Sequence, residues 1–92
     1  MYIKGLNFKC TCSACPEQYD VLDNNANVVG YIRLRWGYLR CDYPDVGGET
    51  IYEADIGDGF TGSFEDDDQR IAHLNSIADA ILKKINEVNE ND

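Results

Sequence analysis

The chain has 92 residues, with 17 Asp and Glu against 8 Lys and Arg, a net charge of -9, and a 43% hydrophobic share. That length supports one hydrophobic core and excludes a second domain, while the apolar content excludes a disordered acidic tail. Such a charge balance argues against direct contact with nucleic acid or anionic membranes and favours basic protein partners.

Taken in chain order, residues 2–8 have strand-forming side chains interrupted by Gly5, which predicts one short or bulged strand. Residues 10–16 are expected as a loop carrying Cys10, Cys12 and Cys15. A second strand over 19–22 ends at Asp23-Asn24-Asn25, side chains that favour turns. Residues 28–36 alternate, placing Val28, Ile32 and Leu34 toward the core and Val29, Tyr31, Arg33 and Arg35 outward. Trp36-Gly37 reads as a tight turn, after which Leu39, Cys41 and Tyr43 point one way and Tyr38, Arg40 and Asp42 the other. Pro44 ends that strand, and the loop from Asp45 to Gly48 returns the chain to a strand over 50–56, with Glu53 and Asp55 outward.

The aspartates at 66–68 mark a helix start, because carboxylates cap free N–H groups and complement the helix dipole. Ile71, Leu74, Ile77, Ala78, Ile81, Leu82, Ile85 and Val88 then recur at three- and four-residue spacing. The spacing predicts a helix over 66–88, with Lys83 and Lys84 in its last turns and 89–92 as a frayed tail. The expected fold is an α+β single domain over 1–92, an antiparallel β-meander of about four or five strands with one C-terminal helix packed on one face. No run approaches the ~18 apolar residues of a membrane span, and no charged leader precedes an apolar segment, so a cytoplasmic protein with reduced thiols is expected.

Three thiols at C-x-C-x-x-C spacing, Cys10, Cys12 and Cys15, could supply most of a tetrahedral zinc site. A fourth ligand is harder to find. Cys41 falls on an apolar strand face and His73 on the flank of the helix stripe, so a thiol-bearing loop with a buried Cys41 is the simpler reading and no cofactor is expected. The C-x-x-C pair lacks the strand-to-helix setting of thiol oxidoreductases, and the acidic stretch lacks the ligand register of an EF-hand. No catalytic constellation stands out, and a non-enzymatic protein is expected.

Between positions 41 and 69 stand ten carboxylates and no Lys or Arg. With 66–68 committed to capping, Asp42, Asp45, Glu49, Glu53, Asp55 and Asp58 are the candidate partner-binding carboxylates. Arg33, Arg35 and Arg40 form the one basic cluster, interleaved with Tyr31, Trp36 and Tyr38. Glu53 and Asp55 are expected as cross-strand partners of Arg35 and Arg40. Trp36, Tyr38 and Arg40 are of the residue types that anchor protein contacts.

The runs Pro16-Glu17-Gln18-Tyr19-Asp20-Val21, Val29-Gly30-Tyr31-Ile32-Arg33-Leu34-Arg35, Tyr43-Pro44-Asp45 and Gly48-Glu49-Thr50-Ile51-Tyr52 resemble a group of small proteins of phages and integrative elements of Gram-positive bacteria. The resemblance covers most of the chain after Cys15 and implies no activity or catalytic residue. In size and acidity the chain is also similar to anti-CRISPR and antirestriction inhibitors. The expected function is therefore non-enzymatic binding to a basic protein surface, in its sharpest form a counter-defence inhibitor that occupies a nucleic-acid-binding groove as a DNA mimic. The alternative is a small zinc-binding structural or regulatory module built on the cysteine loop.

Overall fold

The computed structural model describes residues 1–12, 17–57 and 64–90, the last three as backbone only. Six strands, β1 (Tyr2–Ile3), β2 (Leu6–Cys12), β3 (Glu17–Leu22), β4 (Val28–Arg35), β5 (Tyr38–Tyr43) and β6 (Glu49–Asp55), precede one helix, α1 (Asp67–Glu90). The strands lie side by side in chain order, every pair antiparallel. The α+β meander with one covering helix is as expected; the strand count is higher. The added strand comes from residues 2–12, which form a hairpin and not one bulged strand. Lys4 and Gly5, at φ 53° and 84°, provide the two left-handed residues that a tight hairpin turn needs. Cys10 and Cys12 consequently lie on β2, in an irregular stretch of its pairing with β3, and not in a loop.

Two further irregularities interrupt the pairing, and the first reassigns side chains to faces. Where β3 meets β4, Val21 pairs with Gly30 and Leu22 with Val28, which leaves Val29 as an extra residue. Val29 is buried and Val28 is exposed, the reverse of what alternation predicts, while Ile32 and Leu34 follow the pattern and are fully buried. A second irregularity falls between Cys41 and Asp42, opposite Tyr52 and Thr50.

The dry face of the sheet carries Leu6, Phe8, Val21, Ile32, Leu34 and Leu39, and α1 closes it with Leu74, Ile77, Ala78 and Ile81, all four fully buried. Leu82 and Ile85 pack at the margin. Ile71, expected in the stripe, is exposed; buried Phe64 supplies the apolar contact at that end. The side chain of Val88 lies outside the described residues. Gly30 lets the helix approach closely, since a Cβ there would stand 2.8 Å from Ile81 Cδ1.

The aspartate run caps α1 as expected. Asp66 Oδ1 accepts from the Gln69 N–H at 2.7 Å, and Gln69 Oε1 accepts from the Glu65 N–H at 2.8 Å, a reciprocal arrangement that satisfies free donors at the helix start. The helix runs past Lys84, and its last turn carries no basic residue. Lys84 instead bridges to Glu49 of β6 at 2.6 Å, and Lys4 pairs with Asp79, so ion pairs join the helix to the sheet and its first turn besides the core. No helix among the described residues is long and apolar enough to cross a membrane.

Candidate functional site

The face of the sheet away from α1 has no covering element among the described residues. Its most distinctive part is the β4–β5 hairpin. The turn is Trp36-Gly37, with φ 55° and 69°. Two positive φ values suit a two-residue hairpin turn, but the first position normally takes Asn, Asp or Gly, and a bulky aromatic there carries backbone strain. Trp36 is nonetheless 63% exposed, so burial of its ring does not compensate for that strain.

Arg33, Arg35, Trp36, Tyr38 and Arg40 line a recess of about 180 Å³ beside this turn. Pairing sets Arg33 directly opposite Arg40, and Arg35 opposite Tyr38. Cross-strand like charges are unfavourable, yet here they sit in the one basic patch of an acidic chain. Arg40 is offset by Asp42, 3.3 Å away. Neither Arg33 nor Arg35 makes an ion pair among the described residues. The expected pairing of Arg35 and Arg40 with Glu53 and Asp55 does not form. Glu53 instead accepts a hydrogen bond from the Tyr38 hydroxyl, which raises the Tyr38 pKa because the bond and the nearby negative charge both favour the neutral phenol.

The candidate carboxylates separate. Asp42, expected on the wet face as a partner-binding residue, is only 2% exposed. It accepts from Thr50 Oγ1 at 2.9 Å and from the Gly47 N–H at 3.4 Å, besides its contact with Arg40. Asp42 stays in step with Tyr31 of β4, and its contacts with Thr50 and Gly47 make this carboxylate a fastening for the β5–β6 connection, so a partner cannot reach it. Asp45 is exposed at the loop and accepts from the Val46 N–H at 2.7 Å. Glu49 turns toward the helix to meet Lys84, whereas Glu53 and Asp55 are exposed on the strand that ends the sheet. Asp58 lies outside the described residues.

Cys41 lies apart from Cys10. Cys10 pairs with Tyr19, Tyr19 with Ile32 and Ile32 with Cys41, so three strand spacings, roughly 14 Å, separate the backbones of Cys10 and Cys41. That exceeds the reach of one zinc ion with Zn–S bonds of about 2.3 Å. Burial, with the neighbouring Asp42 charge, pushes the Cys41 thiol up to about 12, which keeps it neutral. His73, the other candidate fourth ligand, shares a 2.8 Å hydrogen bond with the Tyr52 hydroxyl and stacks on Phe64. Cys15 lies outside the described residues, and no group of three or more His, Cys, Asp or Glu among the described residues is placed to hold a metal.

One cluster is invisible in the sequence. Glu17, 2% exposed, accepts from Arg70 Nε at 2.8 Å, from the Tyr19 hydroxyl and from the Phe64 N–H at 3.4 Å. Burial pushes the Glu17 pKa up, but the bonds from Arg70, Tyr19 and Phe64 outweigh it and hold the carboxyl below its ordinary range. Arg70 also lies over the Phe64 ring, 5.7 Å from its centroid. This cluster fastens the start of α1 to β3. A spacing of 53 residues leaves no local signal for it.

A shallow groove of about 300 Å³ runs between β6 and α1, lined by Glu49, Ile51, Ala80, Lys83, Lys84 and Glu87. Comparison with protein families, with curated proteins and with solved structures gives no match.

Proposed function

We propose that the chain is a non-enzymatic binding protein that engages a basic protein surface through the exposed carboxylates at the β6 end of the sheet, with the β4–β5 hairpin as an aromatic anchor. The observation that supports this most directly is the exposure of Asp45, Glu53 and Asp55 in a stretch free of Lys and Arg from 41 to 69. Carboxylates held on strands meet a cationic partner without an ordering cost, and they steer its approach. The sharper form of the reading, drawn from the likeness in size and acidity to anti-CRISPR and antirestriction inhibitors, is an inhibitor that occupies a groove made for nucleic acid.

The test is capture of basic nucleic-acid-binding proteins from a Gram-positive bacterial lysate, comparing the parent chain with an Asp45→Lys/Glu53→Lys/Asp55→Lys variant. The parent should retain such a protein, release it as salt rises and lose it to competing duplex DNA, while the folded variant retains none. Equal retention by parent and variant would overturn the reading.

A further inference from the structure

The hairpin recess breaks three regularities at once. An aromatic residue occupies a backbone conformation it disfavours, two arginines stand opposite one another, and two of the three arginines have no carboxylate partner among the described residues. Features that lower stability and persist together in one place point to a bound ligand. We propose that this recess binds a single phosphomonoester carried on a planar ring, the chemistry of a nucleoside monophosphate, with Arg33 and Arg35 holding the phosphate and Trp36 stacking on the ring.

Charge selects the anion. Asp42 already offsets Arg40, so Arg33 and Arg35 leave about two positive charges, which a phosphomonoester of charge about -1.5 to -2 neutralises and a lone carboxylate does not. Planar guanidinium groups hold phosphate oxygens in pairs, a geometry that lysine cannot reproduce. Size argues for one group: about 180 Å³ is below the range of roughly 300–1,000 Å³ typical of pockets that enclose a whole ligand, so the phosphate enters while the ring lies on exposed Trp36. A longer strand is disfavoured. Glu53 and Asp55 flank the recess, and a net charge of -9 opposes every additional phosphate. This site goes beyond the proposed protein contact and needs no partner for its test.

Trp36 is the only tryptophan in the chain, so its indole N–H resonance reports on this site alone. Titration with adenosine monophosphate should shift that resonance saturably, while adenosine and inorganic phosphate bind at least about tenfold more weakly. Arg33→Gln and Arg35→Gln should each lower the affinity about tenfold or more, as expected for losing a hydrogen bond between charged groups. Arg35→Lys should fail to restore it, and Glu49→Gln, on the helix side, should leave it unchanged. Arg35 is exposed, so its variants remain folded test cases if Arg33→Gln does not fold. No saturable shift with adenosine monophosphate would overturn the proposal, as would unchanged affinity in both glutamine variants. Tighter binding of a 5′-phosphorylated single strand than of the mononucleotide would also overturn it, in favour of a strand-binding face.

Discussion

The two faces of the sheet follow different rules. Beneath α1, large apolar side chains meet with none exposed, Gly30 lies where the helix approaches closely, and the buried Glu17 carboxylate has donors from three residues. On the opposite face an exposed tryptophan sits in a strained turn, Arg33 stands opposite Arg40, and Arg33 and Arg35 make no ion pair among the described residues. The covered face accounts for folding. The open face spends stability that packing does not return, and a protein keeps such features where it meets something else.

The comparison breaks first at the helix. Ile77→Ala or Ile81→Ala should cost about 2–5 kcal/mol in chemical denaturation, because each leaves a cavity between α1 and the sheet. Asn75→Ala should stay within about 0.5 kcal/mol and Asp79→Ala, which loses only its exposed pair with Lys4, within about 1 kcal/mol. Equal, small losses at all four would mean that the covered face does not carry stability.

Asp42 and Asp55 sharpen it next. Asp42→Lys should cost about 2–4 kcal/mol, since it buries a cation beside Arg40 and leaves Thr50 without its acceptor. Asp55→Lys, at an exposed position, should be close to neutral, and thermal melts of the two variants would show whether carboxylates of the same stretch have separate roles.

Glu17 gives a pH signature of the covered face. Its folded pKa lies below the ordinary value of 4.5, so its stabilising contribution is complete above that value and is lost as the pH falls through the lower folded pKa. Glu17→Gln should cost about 1–3 kcal/mol near neutral pH, moderated because Arg70 reaches solvent, and should flatten the loss of stability under acid. Urea midpoints measured from neutral to acid pH for parent and variant would check the sign.

The smallest expected effect has the opposite direction. Trp36→Asn should stabilise the chain by about 0.5–1 kcal/mol, because Asn tolerates positive φ at the first turn position. A loss of stability would mean that the Trp36 ring supports the fold, and the contrast between the two faces would fail at its central residue.

Much of the covered face was legible in the sequence. The helix stripe, its aspartate cap and the alternation of Ile32, Leu34, Leu39 and Cys41 are periodic signals, and periodicity survives without tertiary information. Where an extra residue enters a strand, the same rule misleads. One residue out of step exchanges faces, which exposes Val28 and buries Val29, whereas Asp42 keeps the face alternation gives it and is buried there by Arg40, Thr50 and the Gly47 N–H. The Glu17 cluster joins segments too far apart in the chain for any local pattern to mark it. At the candidate site, Trp36, Tyr38 and the arginines were visible as a cluster of residue types. Their register, with Arg33 opposite Arg40 and Tyr38 reaching Glu53 in place of an arginine, needed three dimensions.

Strand β6 ends the sheet, and among the described residues no further strand pairs with it. An open edge of this kind offers unpaired backbone groups to any other extended chain, including another copy of itself. Glu49, Glu53 and Asp55 stand along that edge, so two copies approaching edge to edge bring like charges together before their backbones can pair. Acidification or high salt removes this repulsion, and self-association under those conditions would start at β6. The carboxylates proposed to meet a cationic partner would thus also oppose pairing of two copies at this edge.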